Sequence, residues 1–270
     1  MRIWYQSFTD PDADRPYFSR LASYLRTVCS PGSEVELFGI QPGVTYSHPV
    51  TEFRCAAQTI ANALTAQEQG YDAFVIGHFQ EAGLAEARSA VRIPVIGLGE
   101  AAMLHACTLG RKIGLVTVSP AFVQFCEEQI ARHGLERRVV AVRAMDPRPG
   151  QFNRAFGDEG EYRSVRDDFI ASAEPMLALG VDVIIPAGGY PMLLFTREQS
   201  FTVGGALVLN GLPVAVAAAE TAIRLGQLGG TVVSRRGAYA LAPSGAVAEF
   251  RAAFPSSPPT TGPTGPQSPR

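Results

Sequence analysis

Residues 70–84 read Gly-Tyr-Asp-Ala-Phe-Val-Ile-Gly-His-Phe-Gln-Glu-Ala-Gly-Leu, and residues 180–190 read Gly-Val-Asp-Val-Ile-Ile-Pro-Ala-Gly-Gly-Tyr. In both stretches a Gly-x-Asp triplet precedes a short apolar run, and small residues follow that run. Short, uninterrupted apolar runs are typical of strands buried on both faces of a parallel sheet. The two stretches therefore predict equivalent strands, Ala73–Ile76 and Val181–Ile185, in two similar halves of the chain.

The rest of the sequence alternates predicted helices with predicted strands. Helical spacing of apolar residues predicts helices over 52–69 and 162–179, and each ends at the glycine that opens one of the two quoted stretches. The polar, Gly- and Pro-rich stretch 146–160 is predicted to be a loop. Such alternation is typical of α/β folds whose mostly parallel sheets are covered on both faces.

We therefore predict an α/β fold of two pseudo-symmetric, flavodoxin- or Rossmann-like lobes. The first lobe comprises residues 1–110 plus about 217–254, and the second comprises 111–216. The last stretch, 255–270, is rich in Pro, Ser, Thr and Gly and has no apolar pattern. Because it has no apolar face to bury, we expect a disordered tail.

Composition argues against several classes of function. A net charge of −2 gives no basic footprint for nucleic acid or an anionic membrane. The most apolar long stretch, 203–219, contains Asn210 and Pro213, so we expect no membrane span. Lys112 is the only lysine and follows Arg111 at a predicted strand start. A Schiff-base lysine for pyridoxal phosphate is therefore disfavoured, and we expect no cofactor.

The cysteine pattern points to a reducing compartment. The four cysteines, Cys29, Cys55, Cys107 and Cys126, form no CxxC pair and have no metal-like spacing. Cysteines of this kind are more often small buried hydrophobes than nucleophiles. With no recognisable signal peptide, the sequence predicts a cytoplasmic protein.

Ligands of open parallel sheets bind beyond the carboxyl ends of the strands. The glycine pair in the second quoted stretch would let backbone amides approach a bound anion, although a plain tight turn is the alternative. Ser119 could reach a ligand or simply cap the following helix. We predict the following substrate-binding residues: Ser7, Thr9, Gly77, Phe79, Thr117, Ser119, Gly188 and Gly189.

His78 and Tyr190, one in each quoted stretch, are the candidate catalytic residues. Imidazole has an unperturbed pKa near neutrality, so it can act as a base or an acid. A phenol at Tyr190 could donate a proton or orient a substrate oxygen. The alternatives are a histidine that braces its loop and a tyrosine that only packs. His78 and Glu81 could supply two metal ligands, but a third is not evident, so no metal is predicted.

The two quoted stretches resemble the two cysteine loops of the aspartate/glutamate/hydantoin racemase superfamily. Tyr71–Leu84 resembles the first loop of the hydantoin racemase branch, an Ala-Cys-Phe-Asp-Asp-Pro-Gly-Leu type run. Segments 93–105 and 114–120 also resemble that branch. The resemblance covers about residues 2–228. It implies an active site between the lobes and cofactor-free proton exchange, in which one thiolate removes a proton while the opposite thiol donates one.

This chain departs from the family pattern at both thiol positions. His78 falls at the first cysteine position, and Gly188 or Ala187, depending on the register, falls at the second. The family's N-terminal Asn-Pro-Asn-Thr type motif is replaced by Gln-Ser-Phe-Thr at residues 6–9. A symmetric two-thiol racemisation is therefore not available to this chain.

The predicted function is a cofactor-independent isomerase or epimerase of a small amino-acid-, hydantoin- or carboxylate-like substrate. His78 would act as the acid/base at the carbon alpha to a carbonyl. The alternatives are a hydrolase, a decarboxylase or a lyase on the same scaffold, since the superfamily includes arylmalonate decarboxylase, or a non-catalytic small-molecule binder. The expected partner is a small-molecule substrate, with no nucleic acid and no membrane, and homo-oligomerisation is left open.

Overall fold

The computed structural model describes residues 1–255 of the 270-residue chain, so the predicted tail, apart from Pro255, lies outside the described residues. The chain divides into two compact units. The first is built from residues 1–77, 81–96 and the chain from 216 onward, and the second from 78–80 and 97–215.

The first unit is built on a four-stranded sheet with the strand order β2-β1-β3-β4. Strand β1 pairs in parallel with both β2 and β3. The elements up to β4 are β1 (Arg2–Gln6), α1 (Arg15–Val28), β2 (Glu34–Phe38), α2 (Pro49–Glu68), β3 (Ala73–Ile76), α3 (Leu84–Ala90) and β4 (Val95–Gly97).

The second unit is built on a five-stranded sheet with the order β6-β5-β7-β9-β8. Strands β6, β5, β7 and β9 run parallel, and β8 closes the edge as an antiparallel partner of β9. The elements are α4 (Leu98–Leu109), β5 (Ile113–Thr117), α5 (Val123–Arg132), β6 (Val139–Ala144), α6 (Gln151–Ala155), α7 (Glu159–Leu177), β7 (Val183–Ala187), α8 (Gly189–Leu194), β8 (Thr202–Val203) and β9 (Ala206–Val208). The predicted α/β fold with mostly parallel sheets is confirmed.

Helix α9 (Gly211–Gly229) begins in the second unit and continues into the first, where α10 (Ser244–Ala253) completes the described chain. Short 3-10 turns occupy Pro120–Phe122, Phe195–Arg197 and Gly237–Tyr239. No helix within residues 1–255 combines the length and the apolar character needed to cross a bilayer.

The two Gly-x-Asp triplets make the same connection in each sheet. The Asp72 carboxylate accepts the Arg2 N–H at 2.7 Å, and the Asp72 N–H donates back to the Arg2 carbonyl at 2.8 Å. The Asp182 carboxylate accepts the backbone N–H groups of Arg111 and Lys112, both at 2.9 Å. The Asp182 backbone N–H donates to the Lys112 carbonyl at 3.0 Å. Each aspartate therefore fixes the register between the central strand pair of its own sheet.

Buried aromatic and aliphatic side chains fill the space between each sheet and its helices. In the first unit Trp4 stacks on Phe38 with a centroid distance of 3.5 Å, and both rings are buried. Helix α10 adds Val247 and Phe250 to the side of this core. In the second unit the rings of Phe169, Phe195 and Phe201 pack edge-on or tilted at 4.8 to 5.8 Å.

Two sequence-based expectations differ from the structure. Helix α4 packs on β5 and β7, so the structure groups residues 97–110 with the second unit rather than with the first. The stretch 146–160, expected to be a loop, contains α6 and the start of α7. Helix α6 is too short to form on its own, and it is stabilised by packing against α7 and α8.

Candidate functional site

Gly77, one of the predicted substrate-binding positions, lies at the carboxyl edge of the first sheet. Gly77 follows β3, and its N–H donates to the carbonyl of Gln6, the last residue of β1, at 2.8 Å. A Cβ on Gly77 would lie 2.1 Å from the Tyr5 ring. Glycine is therefore required at this position by the close approach of a neighbouring strand's side chain.

Ser7 and Thr9 lie just after β1 and bond to each other. Their hydroxyl oxygens are 2.8 Å apart, and Ser7 Oγ also accepts the Thr9 N–H at 3.3 Å. Ser7 is buried, whereas Thr9 is partly exposed. These hydrogen bonds hold the two hydroxyl groups side by side after β1. Contact of either hydroxyl with a substrate stays a prediction.

His78 follows Gly77 directly, but it belongs to the second unit together with Phe79 and Gln80. Its ring is partly exposed and meets Phe122 edge-on at a centroid distance of 6.3 Å. Desolvation lowers the pKa of His78 to about 3, because the surroundings keep away the water that would stabilise the charged ring. The imidazole is therefore neutral at physiological pH and a weaker base than an ordinary histidine.

Gln129 of α5 anchors the segment that carries His78. Its side chain is buried, and Nε2 donates to the carbonyl of Phe79 at 2.7 Å. The amide also fills the space over Gly99, where a Cβ would lie 2.3 Å from Nε2. The Phe79 ring itself is fully buried, so any substrate contact by this residue stays a prediction. Sequence analysis missed Gln129, which has no local motif.

The sequence also did not reveal that Glu81 is buried in an unusual backbone conformation. It is fully buried and has a φ of 58°. Non-glycine residues rarely adopt positive φ, and such positions are concentrated at turns and functional sites. The conformation allows the Glu81 carbonyl to accept the Leu84 N–H at 3.0 Å, where α3 begins.

The carboxyl edge of the second sheet brings Thr117 and the glycine pair together. Thr117 and Ala187 are opposite each other in the parallel pairing of β5 with β7, and Thr117 Oγ1 donates to the Ala187 carbonyl at 3.4 Å. Ser119 Oγ accepts the Ala121 N–H at 3.4 Å, so this hydroxyl caps the 3-10 turn that follows.

Gly188 and Gly189 connect β7 to α8. Gly188 has an extended backbone with a φ of 171°, so left-handed geometry does not require a glycine there. The requirement is steric, because a Cβ would lie 2.7 Å from Val118 Cγ1. The Gly188 N–H donates to Pro186 at 2.8 Å. Within residues 1–255 the Gly189 N–H has no acceptor, as expected for the first turn of a helix.

Tyr190 packs within an aromatic cluster formed by α6 and α8. Its ring stacks on Phe152 at 5.7 Å with an interplanar angle of 28°, and Phe156 lies at 6.4 Å. All three side chains are partly exposed. This packing fixes the ring, while a catalytic role for the hydroxyl stays a prediction.

Thiol chemistry has little support in the described residues. Burial raises the pKa of Cys55 and of Cys126 to about 12, so both thiols stay protonated at neutral pH. Desolvation also raises the pKa of the Cys29 thiol. Within residues 1–255 no three His, Cys, Asp or Glu side chains are grouped so that they could hold a metal ion.

The structure thus divides the predicted residues between the two units. Ser7, Thr9 and Gly77 belong to the first unit. The remaining predicted positions belong to the second unit, and they are His78, Phe79, Thr117, Ser119, Gly188, Gly189 and Tyr190.

The family model for Asp/Glu/Hydantoin racemase matches residues 9–219 of the chain. The chain belongs to this family. The superfamily predicted from the two quoted stretches is therefore confirmed.

Two curated relatives within this racemase family are named hydantoin racemase. The protein from Rhizobium meliloti is 31% identical over 167 residues, and the one from Pseudomonas sp. (strain NS671) is 28% identical over 161 residues. The matches cover 62% and 60% of this chain. They span 66% and 62% of the relatives' own lengths, which is less than two thirds in each case.

Solved racemase structures share the fold. The allantoin racemase from Klebsiella pneumoniae superposes with a TM-score of 0.75 at 23% identity, covering 90% of this chain and 94% of its own. The allantoin racemase from Pseudomonas fluorescens gives a TM-score of 0.72, also at 23% identity, covering 90% and 97%. The glutamate racemase from Thermus thermophilus gives 0.57 at 19% identity, covering 86% and 82%.

The lowered pKa of His78 predicts an acid-sensitive stability. Since the folded pKa is about 3 and the unfolded value about 6.5, the unfolded chain takes up one more proton between these pH values. Stability is then lost as the pH falls below about 6.5. We expect a decrease of about 2 kcal/mol in the free energy of unfolding from pH 7 to pH 5 through this residue.

Urea unfolding at pH 7 and at pH 5 measures this effect. His78→Gln should remove about 2 kcal/mol of the difference between the two pH values. His105→Gln, a change at an exposed position on α4, is the matched control and should leave the difference as in the wild type. An unchanged difference in His78→Gln would show that the imidazole is not desolvated.

Proposed function

We propose that this chain is a cofactor-independent isomerase that moves a proton at the carbon alpha to a carbonyl of a small hydantoin- or ureide-like substrate. Family membership supports an isomerase, and the names of the curated relatives and of the allantoin racemases suggest the substrate class. The observation that supports the proposal is the neutral, partly exposed imidazole of His78, which the sequence analysis predicts to stand at the family's first thiol position.

His78 would act first as the base. We assign this role to Nε2, because the Nδ1 atom is buried. Nε2 takes the proton from the alpha carbon, the electron pair of the broken C–H bond moves into the adjacent carbonyl, and an enolate and an imidazolium form. The new negative charge favours the imidazolium beside it, which offsets the desolvation that lowers the pKa in the free protein.

The first turn of α8 would stabilise the enolate oxygen. The Gly189 N–H has no acceptor within residues 1–255, whereas the Gly188 N–H already donates to the Pro186 carbonyl. A preorganised N–H aimed at a developing oxyanion contributes more to the transition state than to the ground state. Of the two glycines, we therefore assign the anion-binding role to Gly189.

Inversion needs a proton delivered to the opposite face of the enolate. We assign this step to the Tyr190 hydroxyl, which lies one residue beyond Gly189 on a ring held by Phe152. Return of the proton from His78 would instead exchange the hydrogen with retention of configuration.

The substrate and reaction class are tested with the wild-type protein and single enantiomers of 5-substituted hydantoins and of allantoin in D₂O. We expect loss of optical activity together with incorporation of one deuteron and no other change in mass. Addition of water would identify a hydrolase, and loss of carbon dioxide a decarboxylase. Either result would contradict the isomerase, and so would recovery of unlabelled, optically unchanged substrate.

Tyr190→Phe separates inversion from exchange. The substitution keeps the stacking on Phe152 and removes only the hydroxyl. We expect racemisation to fall about tenfold or more, while deuterium exchange with retention persists. Chiral chromatography and mass spectrometry of the same samples measure both rates. Equal rates of racemisation in the wild type and in Tyr190→Phe would leave packing as the role of this ring.

A further inference from the structure

A groove in the first unit lies outside all the residues predicted for catalysis or substrate binding. It runs between α2 and the end of α10 and has a volume of about 440 Å³. This size lies within the usual range of small-molecule sites, roughly 300 to 1,000 Å³. The lining residues are Gln41, Val50, Phe53, Arg54, Ala57, Gln58, Ala61, Asn62, Ala253, Phe254 and Pro255.

The walls of the groove are apolar and open to solvent. Phe53 and Phe254 meet edge-on at 6.3 Å across it. Val50 is 71% exposed, Phe53 67% and Phe254 39%. Large apolar side chains grouped in this way on a surface usually mark a binding site.

The floor of the groove presents a hydrogen-bond acceptor whose identity follows from a buried network. The Trp4 indole N–H can only donate, and it donates to Gln6 Oε1 at 3.1 Å. This orients the Gln6 amide, whose Nε2 donates to the Ser7 and Gly39 carbonyls at 2.9 and 3.0 Å. Asn62 must therefore approach Gln6 Oε1 with its own nitrogen, and Nδ2 does so at 2.7 Å.

Because Nδ2 of Asn62 is used in this network, its Oδ1 is the atom that can accept a hydrogen bond from a ligand in the groove. The residue is 6% exposed and lines the groove, and no donor within residues 1–255 bonds to this oxygen. A ligand with an N–H at this point would replace solvent as the donor to this oxygen.

Arg54 supplies a positive charge at the same groove. Its guanidinium donates to the Pro42 carbonyl at 2.7 Å, to Gln58 Oε1 at 3.1 Å and to the Gly43 carbonyl at 3.4 Å. All three acceptors are neutral, and among the described residues no carboxylate forms an ion pair with it. Three of its five N–H donors are used, so two remain for an anion.

The two polar anchors lie on the same helix. Arg54 and Asn62 are eight residues apart on α2, about 12 Å along the helix axis. The Arg54 guanidinium extends toward Asn62, because it donates to Gln58 Oε1 and Gln58 lies between the two residues. We propose that this groove binds an N-acylated apolar amino acid. Its carboxylate contacts Arg54, its amide N–H contacts Asn62, and its side chain packs against the exposed faces of Phe53 and Phe254.

Calorimetric titration of the full chain with N-acetylphenylalanine tests this proposal. We expect saturable binding of the acid, and about tenfold weaker binding of the corresponding carboxamide, which lacks the charge for Arg54. Arg54→Gln should weaken binding of the acid about tenfold and abolish the preference for acid over carboxamide. Arg26→Gln, an exposed arginine on α1 outside the groove, is the matched control and should bind as the wild type does.

A second variant protects the test from a folding defect. Phe53 is mostly exposed, so Phe53→Ser should keep the thermal midpoint of the wild type while weakening the binding of the probe severalfold. Three results overturn the proposal. They are no binding at millimolar probe, equal affinity for acid and carboxamide, and sedimentation showing that Phe53→Ser dissociates an oligomer whose interface occupies the groove.

Discussion

Replacing His78 by glutamine is expected to slow deuterium incorporation at the substrate alpha carbon by about 100-fold or more. Glutamine has nearly the size of histidine but cannot accept a proton at neutral pH, and a positioned acid/base contributes about 10²- to 10⁴-fold to rate. The measurement is mass spectrometry of a 5-substituted hydantoin incubated with each protein in D₂O.

The pH dependence of the same reaction gives an independent check. Because burial lowers the pKa of His78 to about 3, the base is already neutral at pH 5 in the free protein. We expect kcat/KM to show no loss attributable to His78 between pH 7 and pH 5, unlike a histidine with its ordinary pKa near 6.5. His105→Gln is again the control and should keep the wild-type rate. Undiminished exchange in His78→Gln would remove the imidazole from the mechanism.

Gly77→Ala is expected to destabilise the protein by about 3 kcal/mol. The new methyl group would lie 2.1 Å from Tyr5 Cε1 and 2.9 Å from the Gln6 carbonyl oxygen, so β1 and β3 would have to separate. Tyr5 is fully buried, and the close packing of protein interiors resists displacement of its ring.

Urea unfolding at neutral pH measures the effect of Gly77→Ala. The control is Gly245→Ala in α10, where a Cβ meets no atom within 4 Å. A helical alanine at that position should change stability by less than about 1 kcal/mol, in the stabilising direction. If Gly77→Ala were as stable as the control, the close approach of Tyr5 would not be rigid.

The alternating architecture could be predicted because its signals are local. Gly70 and Gly180 end their helices with positive φ values of 73° and 77°, a conformation for which glycine is strongly preferred. The apolar runs after them fold as β3 and β7, although the second strand ends at Ala187, two residues later than predicted. The positions of these helix ends and strands are therefore indicated by apolar periodicity and by glycines within a few residues of each element.

The features that sequence analysis missed depend on partners far away in the chain. Gln129 is an ordinary helical residue until Phe79, 50 residues earlier, is placed against it. Gly188 is required by Val118 on another loop rather than by its own backbone angles. Likewise α6 is stabilised by packing against α7 and α8, which includes the contact of Phe152 with Tyr190. No local pattern reports such contacts, since each arises only when distant segments pack together.

The paired aspartates, Asp72 and Asp182, separate the bracing of each sheet from the loops that carry the predicted site residues. Each secures its sheet at the end where the strands begin, which is the end opposite those loops. Alignment of the strands is therefore maintained by bonds that do not involve the candidate side chains. A substitution in one of these loops can change the local chemistry without disturbing the bonds that hold the strands in register.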